Sequence, residues 1–140
     1  MPLNAEIRPF VTEDRDQLAA LWRACGLAGA DTDCNRHIDT AHAAPDVALL
    51  VAAGDGAVFG SIVVGHLGHR GWVHYLAVAA GRREQGWGRR LMAAGEGWLR
   101  HRGIDQVQLM IRADNLPVRD FYERLGWAEL THVVMQRRLD

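Results

Sequence analysis

The residues with the clearest chemical purpose lie in one run, Arg82-Arg83-Glu84-Gln85-Gly86-Trp87-Gly88-Arg89-Arg90-Leu91. Two glycines let the backbone turn tightly and expose bare amide N–H groups. The apolar periodicity from Leu91 to Leu99 predicts a helix that opens here. The first turn of a helix carries unpartnered N–H groups and the positive end of the macrodipole, so it favours an anion. Arg89 and Arg90 fall in that turn, and Arg82 and Arg83 lie just upstream. Cations crowded there oppose the dipole unless something negative joins them, and a pyrophosphate has the charge to do so. A glycine pair is also found in plain turns, and arginines also form solvated faces, so the run needs support from the rest of the chain.

The elements around it can be read in order. Glu6 to Phe10 alternates as a short strand, and Thr12 is placed to cap a helix whose buried face is Leu18, Leu21, Trp22 and Cys25, with Gly26 at its end. In the segment 26–45, Asp31, Thr32, Asp33 and Asn35 offer caps, and Ile38, Ala41 and His42 suggest a short helix stopped by Pro45. If the protein has a substrate-selecting lid, this segment is its place. His37 and His42 are five apart, off a shared helical face, and read as solvated rather than metal-binding. Val47–Val51, Val58–Val64 and Trp72–Val78 then form an antiparallel meander with turns at Gly54-Asp55-Gly56 and Gly68-His69-Arg70-Gly71. After the glycine run comes a helix to about Arg102, with Leu91, Ala94, Trp98 and Leu99 inward and Gly103 past its end. The strand Val107–Ile111 can lie parallel to the strand before that helix. Asn115 caps a last helix with Pro117 in its first turn, and 127–139 has room for one or two closing strands. The fold class is α/β (α+β), a mixed, mostly antiparallel central sheet with helices on both faces.

Composition narrows the function. At 140 residues the chain fits a single domain, 1–140, and its net charge of −1 argues against nucleic-acid binding. No run approaches the length needed to span a bilayer. The start Met1–Glu6 lacks the basic and apolar blocks of a secretory signal, which predicts a cytoplasmic protein. Cys25 and Cys34 are too few for a disulfide framework and lack metal-ligand spacing, so free thiols and no metal site are expected.

Arg83-Glu84-Gln85-Gly86-Trp87-Gly88, followed by Asn115-Leu116-Pro117-Val118-Arg119-Asp120-Phe121-Tyr122-Glu123-Arg124-Leu125-Gly126-Trp127, resembles the GNAT superfamily of acyl-CoA-dependent N-acetyltransferases. The likeness covers residues 47 to 127 well and the N-terminal strand and helix loosely. It implies acetyl-CoA as cosubstrate, with main-chain groups of Leu76, Ala77 and Val78 pairing with the pantetheine arm as an added strand. It further implies that amides from Glu84 through Gln85, Gly86, Trp87 and Gly88 to Arg89, beside Arg83, hold the pyrophosphate. Asn115 would touch the cofactor and Tyr122 would sit near the sulfur.

The implied reaction is transfer of the acetyl group to a primary amine, on a small molecule or a peptide, by direct attack. Tyr122, a phenol at neutral pH, would protonate the departing thiolate. Branches of the superfamily carry a titratable side chain at the position matching Trp72 or Met110, and neither residue here accepts a proton; the Glu of the ribosomal-protein branch is absent at Met110. His74 shares a strand face with Trp72 and can take the proton directly or through a water, or be a packed or solvated histidine. A lysine amine is almost wholly charged at neutral pH, a handicap of about 4 kcal/mol against about 1 kcal/mol for an α-amine, so a site without an obvious base tilts toward α-amines. Two other readings stand beside this one: a non-catalytic acyl-CoA sensor on the same fold, and a phosphate-binding domain using the glycine run. No Lys-Ser/Thr follows Gly88 and G-x-G-x-x-G is absent, which excludes the Walker A and dinucleotide patterns. Pairing of the C-terminal strand across two copies would make a homodimer.

Overall fold

The computed structural model describes residues 5–28 and 33–140. The caps Asp31 and Thr32, the centre of the segment read as a lid, and residues 1–4 lie outside the described residues. Contacts divide the chain into Met1–Leu109 and Met110–Asp140.

The first unit is built on a sheet in the order β1-β2-β3-β4-β5. Strand β1 is Glu6–Pro9, β2 is Val47–Gly54, β3 is Ala57–Leu67, β4 is Arg70–Val78 and β5 is Gln106–Gln108. Neighbours run antiparallel except β4 and β5, which are parallel because a helix connects them. The meander and its two-residue turns fall where the sequence places them.

Helices lie on both faces of this sheet. On one side, α1 (Arg15–Ala24) and α2 (Cys34–Ala43) bury Leu18, Trp22 and Ile38 against Val51 and Val63. On the other, α3 (Trp87–His101) buries Leu91, Met92 and Leu99. A fully buried side chain of this size contributes about 2 kcal/mol. Strand β3 serves both faces by alternation: Ser61 meets α1, and Ile62 and Val64 meet α3. At Gly95 of α3 an added Cβ would stand 2.8 Å from Val64 and 3.0 Å from Ile62, so the helix rests directly on the sheet there.

Several local readings are corrected. Thr12 does not cap α1; Thr12–Asp14 is a 3-10 turn, and the Asp14 carboxylate accepts the Val11 N–H at 2.9 Å. Asp14 also takes two N–H bonds from the Arg8 guanidinium, at 2.7 and 3.0 Å, and these hold its carboxyl below the usual range. A charge-assisted bidentate pair outcompetes a hydroxyl cap. For α2, by contrast, the cap is Asp33, one of the residues the sequence offers for it, which accepts from the Arg36 N–H. Strand β5 is shorter than Val107–Ile111, because its pairing with β4 ends at Trp72 and Gln108.

The second unit contains α4, Leu116–Arg124, capped by Asn115, whose side chain accepts from Val118 N–H at 3.4 Å. Pro117 lies in its first turn, as its spacing predicts. No strand forms within 127–140; a strand exists only through a ladder partner, and this segment has none among the described residues. Among the described residues no helix is long and apolar enough to cross a membrane.

Candidate active site

Strand β4 is not regular. Its register with β3 shifts between the pairs Val63–His74 and Ser61–Ala77, which leaves Tyr75 and Leu76 opposite Ile62 alone. This is a β-bulge, and Tyr75 adopts φ 53°, a left-handed conformation unusual for an aromatic residue. Three contacts hold it. The Ser61 hydroxyl donates to the Tyr75 carbonyl at 2.8 Å, the Trp22 indole N–H donates to Ser61 Oγ at 2.9 Å, and the Trp22 ring stacks on the Tyr75 ring at 4.0 Å. Ser61 and Trp22 are both 0% exposed. Ser61→Ala would strand an indole N–H and a carbonyl in the interior, at about 1–3 kcal/mol for each. Urea unfolding of that variant is expected to show a loss of about 2–4 kcal/mol with an unchanged slope; a loss under about 0.5 kcal/mol would mean that the bulge stands without it.

The bulge has a consequence for the sheet edge. Parallel pairing with β5 covers only Arg70–Trp72, and a bulge increases local twist, which draws the two strands apart. From Val73 to Val78, β4 therefore lacks a ladder partner on that side among the described residues, an open edge of about 17 Å at the rise of a strand. Leu76, Ala77 and Val78 lie on it. The Val78 carbonyl is engaged by Arg83 Nε at 3.2 Å and by Cys25 Sγ at 3.6 Å.

The edge leads into the glycine run. Glu84 at φ 63° and Gly86 at φ 85° turn the chain so that α3 opens at Trp87, four residues ahead of Leu91. The Gly86 to Arg89 amides have no acceptor among the described residues. Trp87 is buried with its ring edge-on to Phe59 at 4.8 Å. Arg82 lies over Phe59 at 4.2 Å and Arg90 over Trp87 at 4.0 Å. Among the described residues none of Arg82, Arg83, Arg89 and Arg90 has a carboxylate partner. Free amides, a helix N-terminus and guanidinium groups without carboxylate partners together could hold an anion. Beside it, a groove of about 430 Å³ is lined by Leu21, Ala24, Cys25, Val58, Ala80 and Arg83.

His74 faces the side of α1 and α2, with its ring 4.9 Å from Trp72 and 6.4 Å from Tyr75. His74 is exposed, yet partial desolvation by its neighbours lowers its pKa below the ordinary histidine value. It is thus a neutral acceptor near pH 7. In the second unit, Tyr122 is buried between the rings of Phe121 and Trp127, at 5.1 and 5.7 Å, and burial pushes its pKa up to about 12. Asn115 lies in the same unit, at the start of α4.

Reading the sequence as regular strands misses Tyr75, Ser61 and Trp22 as a group. The available signal is a lone serine in the apolar run Phe59-Gly60-Ser61-Ile62-Val63-Val64. His37 and His42 are exposed, as read, but His37 is not merely solvated: its Nδ1 lies 3.0 Å from the Tyr75 hydroxyl. Cys25 and Cys34 are free thiols, and Cys34 is buried.

A profile of the Acetyltransferase (GNAT) family matches residues 11–127. An acetyltransferase of Yersinia enterocolitica serotype O:8 / biotype 1B is 32% identical over 134 residues, 96% of this chain and 95% of its own. One from Pectobacterium atrosepticum is 33% identical over 135 residues, with the same shares covered. Among solved structures, an aminoglycoside N-acetyltransferase, AAC(6')-Iy, in complex with CoA superposes with a TM-score of 0.86 at 16% identity, covering 99% of this chain and 97% of that one, a likeness of fold. A profile match across most of the chain, with relatives aligned over nearly their full length, means that the chain belongs to the GNAT family of acetyltransferases.

Proposed function

We propose that the chain transfers the acetyl group of acetyl-CoA to a primary amine by direct attack. The observation that carries this reading is the open edge of β4 running into an anion site of free amides and unpaired arginines. A strand edge offers alternating N–H and C=O groups to an extended amide chain, and the helix N-terminus takes phosphate. Acetyl-CoA has both parts. Leu76, Ala77 and Val78 bind the arm. Arg83 and the amides of Glu84, Gln85, Gly86, Trp87, Gly88 and Arg89 bind the pyrophosphate, and Asn115 contacts the cosubstrate. Trp87 contributes through its N–H, since its ring is committed to the core. The aminoglycoside acetyltransferase in complex with CoA supports the cosubstrate, and its acceptor class supports an amine.

In the reaction, the amine lone pair forms the N–C bond, the C–S bond breaks, and its electron pair leaves on sulfur. His74 accepts the proton that the nitrogen loses. Tyr122 donates a proton to the thiolate, its raised pKa keeping the hydroxyl protonated.

The test is a thermal titration followed by thiol detection. Acetyl-CoA at a hundred times its dissociation constant should add about 2.7 kcal/mol of stability, and ATP none. Adding an amine should then release free thiol. Stabilisation without thiol release across a broad amine panel would favour an acyl-CoA sensor, and a response to ATP alone would favour a phosphate-binding domain.

A further inference from the structure

Outside the residues assigned above, the most specific juxtaposition is at Tyr75. Its hydroxyl stands 3.0 Å from Nδ1 of His37, its ring is stacked on Trp22, and the ring of His74 is 6.4 Å away. Helices α1 and α2 and strands β3 and β4 each contribute a residue to this arrangement. A left-handed tyrosine persists only where its surroundings over-determine it, and such strain collects at functional sites.

We propose that Tyr75, held by His37, seats the acceptor nitrogen and selects primary amines over their N-alkylated counterparts. The inference rests on the acetyl-transfer reading. A neutral primary amine has one lone pair and two N–H groups, and the lone pair must aim at the thioester carbonyl. In the His37 tautomer whose proton is on Nε2, Nδ1 accepts the Tyr75 hydroxyl proton, and the phenol oxygen then has only acceptor capacity left for the substrate. One amine N–H goes to that oxygen and the other to His74, whose ring centre is 6.4 Å from that of Tyr75. The N–H on His74 is the one lost once the N–C bond has formed, and Tyr75 keeps its own proton throughout. A secondary amine has a single N–H and leaves either the seat or the base unserved. Burial and the neighbouring Cys34 hold the Tyr75 hydroxyl above the usual tyrosine range, so it remains a phenol. The titratable groups around it are His37 and Cys34 from α2 and His74 from its own strand.

The experiment compares kcat/KM, by thiol release, for primary amines and their N-methyl derivatives, drawn from α-amino amides, diamines and amino sugars. Wild type should prefer the primary amine, and Tyr75→Phe, which keeps the stack on Trp22, should shrink that preference about five- to tenfold. His37→Ala should shrink it in part. His37→Asn, whose side-chain oxygen can take the hydroxyl proton where Nδ1 did, should restore it; His37 is exposed on α2, so both variants should fold. An unchanged preference in Tyr75→Phe, or no preference in wild type, overturns the inference while thiol release keeps the transfer reading standing. Absence of thiol release from wild type with every amine overturns both.

Discussion

Gly86→Glu is expected to abolish the stabilisation that acetyl-CoA gives the wild-type chain, while leaving the protein folded. Gly86 sits at φ 85°, where a side chain costs about 1–2 kcal/mol of backbone strain. A Cβ there meets nothing within 4 Å, so the substitution disturbs no packing and the core keeps its ordinary stability. The effect on binding is far larger than the strain. The new carboxylate would stand at the N-terminus of α3 beside Arg89 and Arg90, filling with its own charge the site that a pyrophosphate needs. Where wild type gains about 2.7 kcal/mol at a hundredfold excess over its dissociation constant, the variant should gain nothing measurable. Gly86→Ala separates the two causes: it carries the strain without the charge and should retain part of the response. If acetyl-CoA stabilises Gly86→Glu as much as wild type, the pyrophosphate is not held at this loop.

Tyr122→Phe should lower kcat about a hundredfold with little change in KM for acetyl-CoA, the size of a lost general acid. The hydroxyl has no protein partner among the described residues, so its removal leaves no orphaned group and the rings of Phe121 and Trp127 keep their contacts. The pH profile adds an independent check. With a pKa of about 12, Tyr122 stays protonated throughout an ordinary assay range and contributes no alkaline limb there. The proposed base, His74, should govern the other end. Its pKa is lowered by desolvation, so the neutral, proton-accepting form prevails at pH 7, and beyond the fall that the amine's own protonation imposes, a second acidic limb should appear as pH drops through a value below the ordinary histidine one. That acidic limb should persist in Tyr122→Phe and vanish in His74→Gln. A Tyr122→Phe enzyme as fast as wild type would remove the residue from the proton inventory.

What the sequence reveals follows from how local each feature is. The glycine run, the meander turns and the Asn115 cap with Pro117 are written in residues within a few positions of one another, and all appear where spacing places them. The bulge at Tyr75 is different. Nothing between Trp72 and Val78 demands it; a serine on β3 and a tryptophan on α1 impose it through contacts between residues far apart in the chain. Strand period alone therefore placed His74 and Trp72 on one face but had no means to show Tyr75 turning toward Trp22 and His37. The end of β5 is likewise set by its partner rather than by its own apolar residues. The same holds for 127–139, where alternation without a ladder yields no strand. Asp14 displaced Thr12 as a cap because Arg8, on another element, chose the carboxylate.

The four cations around the α3 N-terminus have one further consequence. Each is an arginine, and the chain contains no lysine at all. Lysines crowded this closely would depress one another's pKa, and some would stand as neutral amines beside an activated thioester. Guanidinium groups stay charged and do not compete as nucleophiles under the same crowding. Arg82 and Arg90, placed over the rings of Phe59 and Trp87, hold their charge in place before any ligand arrives. A protein that grips an acylating reagent thus offers it no side-chain amine of its own, and the acetyl group is kept for the acceptor.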